Sequence, residues 1–234
     1  MFRRIFLTAL VAGSLAGLAA AALQRIEIVP LIMRAEGYET ANAPVGGHGL
    51  MGSPWEPAAG FERAAYTVIA DVLAGIGFGL LLTGTIALAA SRGMAVDARR
   101  GVVWGAAGFA VFTLAPALGL PPELPGMAAA GLAQRQTWWL TTAVATAAGL
   151  GLIVFSPRRL PRCVGVVLLL LPQVLGAPEP ARISSPVPNL LEARFVVASL
   201  TAAALFWLLL GGLSGWLYRR LDPRRGEVGA ITGL

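Results

Sequence analysis

Three carboxylates have the type and position needed to attract a cation inside a membrane: Asp71, Glu123 and Glu179. Asp71 lies six residues into an apolar run that begins near Ala65, a depth of about 9 Å along a helix. A carboxylate inside a bilayer costs up to about 3 kcal/mol, so it usually faces a partner or a water-filled cavity. Asp71 therefore predicts either a cation-attracting site or a structural polar contact to a neighbouring helix.

Glu123 belongs to the least ordinary stretch of the chain, LAPALGLPPELPGM over Leu114–Met127. Pro116 removes an amide donor inside an apolar run, and Gly119 and two further prolines then stop that run. Unpaired carbonyls cost several kcal/mol in hydrocarbon, so such a break survives only against protein or water. The stretch predicts a broken helix with a polar tip, as in many transporter substrate sites. A proline-rich loop that caps an ordinary helix is the alternative.

A similar order of residues recurs later in the chain, with Pro172 and Gly176 ahead of Pro178-Glu179. An internal repeat of the chain would explain this similarity, and chance together with the shared chemistry of membrane helix ends would explain it equally well. Because two breaks that meet around water satisfy each other's free carbonyls, we expect the two ends to lie side by side near Asp71. The predicted substrate path consists of Asp71, Pro116, Glu123, Pro172 and Glu179.

A second set of polar side chains follows the first apolar run. It contains ligand types that suit a divalent transition metal, namely Met33, Glu36, Glu39, His48 and Met51. We predict Glu36, Glu39 and His48 as metal ligands. The spacing fits no standard site, and a single histidine falls short of the three or four ligands of a stable one. Solvated loop charges are therefore the alternative.

The elements that must position these residues are membrane helices. The 234 residues are 56% hydrophobic and 13% charged, whereas soluble domains average about 25% charged residues. All 18 basic residues are arginine, and they occur in short groups between apolar runs, a pattern of membrane topology and not of nucleic-acid binding. The chain has no GxSxG, HExxH or P-loop motif, so we expect no enzyme activity, no resident cofactor and no nucleic-acid partner. The lone Cys163 excludes an internal disulfide, and we expect it to be a small buried apolar residue.

Six apolar runs predict an all-α, polytopic membrane protein with one membrane domain over 1–234. The predicted helices lie at about 5–23, 65–89, 101–119, 137–155, 163–177 and 194–218, with an outer loop over 24–63. The first run imitates a cleaved signal peptide, but its 19 residues can cross a bilayer, and we interpret it as a retained helix. The fifth run has 15 residues and contains Pro172, so a re-entrant segment is the alternative there. We expect the loop to pack over the outer helix ends, because its aromatic residues and prolines suit no free linker.

The arginine distribution selects a topology. Six spans with a cytoplasmic N-terminus place 12 arginines inside and 6 outside, whereas a re-entrant fifth run gives 10 and 8. The positive-inside rule therefore predicts six spans with both termini in the cytoplasm. Arginines and prolines recur at matching helix ends, which suggests three parallel helical hairpins of the kind that some transporters repeat.

Several stretches also carry a family resemblance. They include Val29–Ile32, Trp55–Ala58, Phe61–Arg63, Arg135–Trp139, Arg194–Ser199 and above all Leu114–Met127. Over nearly its whole length the chain resembles the CbtA family, whose members are predicted subunits of a bacterial cobalt transporter. The resemblance implies a bacterial inner-membrane protein whose cargo is a cobalt ion. It also implies a small single-span partner of the CbtB type with a histidine-rich end, and other membrane subunits.

The chain departs from that family at its ligand positions. The resemblance implies a histidine-rich loop after the first helix and histidines near residues 113 and 173. Here the loop keeps only His48, and the two positions are Thr113 and Gln173. Imidazole is a natural ligand for ions of the cobalt type. A second hypothesis is therefore a non-transporting accessory or assembly subunit, which needs only an apolar docking face on a larger membrane complex.

Overall fold

The computed structural model describes residues 1–41, 57, 58, 60–180 and 187–222, and within these it contains helices and turns and no strand. The helices are α1 (Phe2–Leu23), α2 (Val29–Ala41), α3 (Phe61–Ser91), α4 (Ala98–Phe109), α5 (Ala115–Ala117), α6 (Leu132–Phe155), α7 (Arg159–Leu175) and α8 (Asn189–Arg220). Two π-helical segments, Gln24–Ile28 and Ala110–Leu114, join α1 to α2 and α4 to α5. The predicted all-α membrane fold is confirmed.

The first helix is longer than predicted. Residues 24–38 continue it through the π segment into α2, giving one apolar helix over Phe2–Tyr38, so the expectation that a loop begins at residue 24 is wrong. Each π segment ends two residues before a proline, Pro30 or Pro116. A π turn inserts an extra residue into the helix, and in both places the helix continues past the proline that follows.

Within the described ranges, five helices are long and apolar enough to cross a membrane: Phe2–Tyr38, Phe61–Ser91, Ala98–Ala117, Leu132–Phe155 and Asn189–Arg220. The sixth predicted span corresponds to α7, which has 17 residues. At 1.5 Å per residue α7 is about 25 Å long, near the lower limit for a spanning helix. The parallel three-hairpin repeat stays a prediction.

The helices divide between two compact units. The first comprises Met1–Ala22, Glu56–Gly108 and Ala204–Leu234, and the second comprises Leu23–Trp55 and Phe109–Ala203. In the first unit, glycines allow the helix backbones to touch. A Cβ on Gly13 of α1 would lie 2.5 Å from the carbonyl oxygen of Gly75 in α3. A Cβ on Gly211 of α8 would meet the backbone of Gly101 and Gly105 in α4.

In the second unit, α6 and α7 form an antiparallel hairpin. Gly149 of α6 packs against Gly165 and Leu169 of α7, while the guanidinium of Arg162 holds the Ser156 carbonyl at the turn between the helices. Cys163 is exposed, so the expectation that it is buried is wrong. Gly165, two residues further along α7, is the residue that faces α6. Cys163 lies on the exposed part of the same turn, where a small apolar thiol is tolerated on a helix in lipid.

A small apolar cluster lies elsewhere in the second unit. It is built from α2, the segment after α5 and the start of α8, and its buried members are Ala35, Leu124, Val187, Leu191 and Phe195. The part of the predicted outer loop that forms α2 is therefore packed against protein. Trp55 lies outside the described residues, and Phe61, at the start of α3, is 90% exposed.

Candidate functional site at the interrupted helix

The proline at position 116 leaves a carbonyl to be satisfied from outside its helix. An α-helix pairs the carbonyl of residue 112 with the amide of residue 116, and proline has no amide hydrogen. The indole Nε1 of Trp139, on α6, donates instead to the Phe112 carbonyl oxygen at 3.2 Å. The two rings also pack, with centroids 6.1 Å apart. The break in the helix is thus served by a side chain from a neighbouring helix, as the low dielectric requires.

A second carbonyl at the break is held from α7. The side-chain amide of Gln173 donates to the Ala115 carbonyl oxygen at 2.9 Å. Beyond α5, a Cβ on Gly119 would lie 2.9 Å from the Cβ of Ala177 and 2.5 Å from the Trp138 ring. The two proline-containing helix ends therefore lie side by side, which is the arrangement that their matching sequences predict.

The two prolines of the predicted path are both buried. Pro116 lies in α5 and Pro172 lies inside α7, one residue before Gln173. Pro172 produces no π segment, and α7 ends three residues after it, at Leu175. Gly176 follows with φ of +83°, a conformation that favours glycine at a helix end.

Glu123 is not a free carboxylate. Its Oε2 lies 2.8 Å from a guanidinium nitrogen of Arg135, in the first turn of α6. The Arg135 and Glu123 side chains are 37% and 19% exposed, so the pair is partly screened by solvent. The ion pair ties the segment after α5 to α6 and cancels much of the negative charge that the predicted path assigns to this residue. Glu179 is exposed at the end of the segment after α7.

Asp71 lies in the first unit, where α3 crosses α1. Because α3 begins at Phe61, Asp71 is ten residues into the helix, about 15 Å from its start. The residue is half-buried, its Oδ2 atom is inaccessible to solvent, and a Cβ on Gly17 would lie 2.5 Å from its main-chain oxygen. Glu123 and Glu179 belong to the other unit, so a site shared with Asp71 stays a prediction.

The predicted metal ligands of the outer segment are placed only in part. Glu36 lies in α2 and is half-buried, whereas the side chain of Glu39 and all of His48 lie outside the described residues. Within the described part of the chain no group of three or more histidine, cysteine, aspartate or glutamate side chains could hold a metal ion. The loop site therefore also stays a prediction.

The sequence did not predict the contacts that Trp139, Gln173 and Arg135 make at this site. The neighbouring Trp138 is only 9% exposed, and its indole N–H has no partner among the described residues. An amide directly after a proline in an apolar run was the available signal for Gln173. The site thus contains two carbonyl oxygens that accept from side chains of other helices, and one buried indole N–H without a partner among the described residues.

Comparison with known proteins gives one result. Among curated proteins nothing matches the chain, and no solved structure matches it either. A family model described as "Probable cobalt transporter subunit (CbtA)" matches residues 2–219. Since that match covers most of the 234 residues, the chain belongs to the CbtA family.

Proposed function

We propose that the protein is a subunit of a bacterial inner-membrane transporter for a divalent metal ion of the cobalt type. The observation that carries the proposal is the family match over residues 2–219. The role is non-enzymatic, and the cobalt ion is cargo and not a resident cofactor. We further propose six spans, with α7 as the fifth, and both termini in the cytoplasm.

We place part of the ion path at the interrupted helix. The carbonyl oxygens of Phe112 and Ala115 are held by Trp139 and Gln173, two neutral donors from other helices. Carbonyls freed by a helix break are common cation ligands in transporters. An arriving ion replaces the amide hydrogen of Gln173 at the Ala115 oxygen, and the amide returns when the ion leaves. Each state leaves the carbonyl satisfied, which keeps the exchange inexpensive.

The same place carries the two positions at which the family resemblance implies histidine. Thr113 lies within the π segment and Gln173 reaches the carbonyl of Ala115, two residues further along. A hydroxyl and an amide bind ions of the cobalt type more weakly than imidazole does. Weak binding suits passage, because an ion must leave the site as readily as it enters. A CbtB-type partner with a histidine-rich end would supply the missing imidazoles.

The negative charge of the path comes from Asp71 and Glu179, with Glu36, Glu39 and His48 collecting the ion outside. Glu123 contributes least to the path, because Arg135 neutralises it. Asp71 is the decisive residue, since it lies ten residues inside a helix long enough to span, with one carboxylate oxygen inaccessible to solvent, and such residues usually mark ion pathways.

The test is cobalt uptake by cells that lack their own importer and that produce the protein with its neighbouring membrane subunits. We expect Asp71→Asn to lower cell-associated cobalt at least fivefold while the protein level stays within about twofold, because the substitution removes the charge and keeps the shape. The matched control is Glu62→Gln, an exposed carboxylate in the first turn of the same helix, which should leave uptake unchanged.

A second function is favoured by one observation, the ion pair between Glu123 and Arg135, which turns a predicted path charge into a structural tie. This function is that of an accessory or assembly subunit that docks on a larger membrane complex. Absence of uptake by the wild type in the presence of its partners would favour it. Unchanged uptake by an abundant Asp71→Asn variant would instead remove Asp71 from the path.

A further inference from the structure

A depression opens in the first unit where the start of α4 meets the end of α8. Its volume is about 510 Å³. The lining residues come from the two helix ends and the residue before α4: Asp97, Ala98, Arg99, Trp216, Arg219 and Arg220. We call it the arginine depression. None of these residues takes part in the site at the interrupted helix.

Glycines bring the two helix ends close enough to form the arginine depression. Gly215 of α8 packs directly on the main-chain carbonyl of Asp97, and Gly101 of α4 packs on the backbone of Gly211 and Gly215. Side chains at these positions would separate the helices, because the contacting atoms are backbone and cannot move aside. The arginines that flank this seam are therefore held next to one another by rigid helices.

The lining carries a net positive charge. Its three arginines face one carboxylate, that of Asp97, so the six lining residues sum to +2. The backbone amide of Arg100 donates to Asp97 Oδ1 at 2.9 Å, and this bond is the main reason why the pKa of that carboxyl lies below its usual value. Asp97 is thus anionic at neutral pH and is already engaged in capping α4. The remaining +2 matches one or two phosphodiester groups.

The surroundings of the arginine depression fit a lipid better than a soluble phosphate. Trp216 is 44% exposed, and the guanidinium of Arg220 lies over its ring at 5.0 Å, an arrangement typical of the membrane interface. Val103 is 68% exposed and follows Arg99 by four residues, while Leu209 is 39% exposed and precedes Trp216 by seven. Residues so spaced share a helix face, so apolar surface continues from the arginines along both helices.

We propose that the arginine depression binds the phosphodiester headgroup of an anionic phospholipid, with its acyl chains lying along the exposed faces of α4 and α8. Arg99 and Arg219 hold the phosphate oxygens. Arg220 and Trp216 cover the headgroup from the side. Basic pockets between helices at a membrane surface bind anionic headgroups in this manner, and a soluble phosphate would leave the apolar faces unused.

The test is native mass spectrometry of the full-length protein, purified in detergent, delipidated and titrated with phosphatidylglycerol or phosphatidylethanolamine of the same acyl chains. We expect at least fivefold more phosphatidylglycerol retained. The double variant R99Q/R219Q should lose about thirtyfold in that retention, given about 1 kcal/mol for each of the two arginines at a membrane surface. The matched control is R158Q/R159Q, which removes two arginines at the start of α7 outside the depression and should lose less than twofold.

Three results would overturn the proposal. Equal retention of the two lipids by the wild type would show that the headgroup charge is not recognised, and this comparison stands even if a variant does not fold. Equal loss in the two double variants would show diffuse charge attraction with no specific site. Displacement of phosphatidylglycerol by glycerol 3-phosphate at the same concentration would identify a soluble phosphate ester as the ligand.

Discussion

Arg4, in the first turn of α1, donates from its Nε to the main-chain carbonyl of Tyr218, in the last turn of α8, at 2.6 Å. Its guanidinium also lies 3.6 Å from the centroid of the Tyr218 ring and 3.4 Å from a carboxylate oxygen of Asp222. The start of α1 and the end of α8 therefore lie at the same end of the first unit. We therefore expect the chain to cross the membrane an even number of times.

This contact leads to a topology prediction. Among the described residues five helices meet the length and hydropathy of a span, and crossing by α7 as well would make the number even. We expect reporter fusions after Arg100, Pro157 and Arg225 to behave as cytoplasmic and fusions after Gly126 and Pro180 as periplasmic. Fusions with alkaline phosphatase and with green fluorescent protein provide the paired readout. A fusion after Pro180 on the same side as the fusion after Pro157 would mean that α7 does not cross.

At the glycine contact between α4 and α8, replacing a single glycine hydrogen by a methyl group should strongly lower the stability of the protein. We expect Gly211→Ala to destabilise the protein by about 1 to 3 kcal/mol, because its Cβ would meet the backbone of Gly101 and Gly105 and force the helices apart. Thermal unfolding of the purified protein in detergent measures the effect.

The control for that substitution is Gly84→Ala in α3, where a Cβ would meet nothing within 4 Å. Here we expect no loss and a gain of up to about 1 kcal/mol, since alanine is the better helix former. Equal destabilisation by both substitutions would contradict close backbone packing as the cause.

Replacing Gln173 by histidine should change the function of the protein with little change in its fold. Gln173→His restores an imidazole at a position where the family resemblance implies one, and its ring N–H can still donate to the Ala115 carbonyl. We expect cobalt uptake to rise at least twofold, because imidazole binds this ion better than an amide does. Gln173→Leu should lower both stability and uptake, since the buried carbonyl then loses its donor. Unchanged uptake in both variants would place the ion path elsewhere.

The sequence predicted the helices of this fold better than the interruptions within them. Apolar runs bounded by arginines predicted the five candidate spans and α7 of the described residues, because burial in lipid leaves a simple compositional signal. The same rules did not predict the π segments that precede Pro30 and Pro116 or the continuation of the first helix past residue 23. Whether a helix stops at a proline depends on what serves the freed carbonyl. At Pro116 that group is Trp139, 23 residues away in the chain, and no local pattern encodes it.

At the candidate site, the sequence predicted which helix ends meet but not which charged side chains pair. The spacing of prolines predicted that the ends of α5 and α7 would meet, and they do so through Gln173 and Ala115. The role of Glu123 was not predictable, since a carboxylate beside a break looks alike whether it faces an ion or an arginine. Nothing in the spacing of Arg135 in the sequence indicated that it is the partner of Glu123.

Charge-swap variants of Glu123 and Arg135 distinguish experimentally between a carboxylate that faces an ion and one that serves only as a structural partner of the arginine. Each single substitution, Glu123→Arg or Arg135→Glu, places like charges about 3 Å apart, so we expect a lower unfolding temperature in both. The double variant E123R/R135E restores an ion pair and should recover most of the lost stability, with a coupling energy of about 1 kcal/mol for a partly exposed pair. Thermal unfolding of all four proteins completes the cycle.

Cobalt uptake by the same double variant then assigns the residue. If the pair is only a structural tie between the segment after α5 and α6, as its short distance indicates, uptake should recover together with stability. If position 123 instead presents negative charge to a passing cation, the swapped protein will be stable and inactive, because an arginine now faces the path. We expect recovery of uptake to at least half the wild-type value. A stable variant with no uptake would show that Glu123 lies on the ion path and that Arg135 controls its charge.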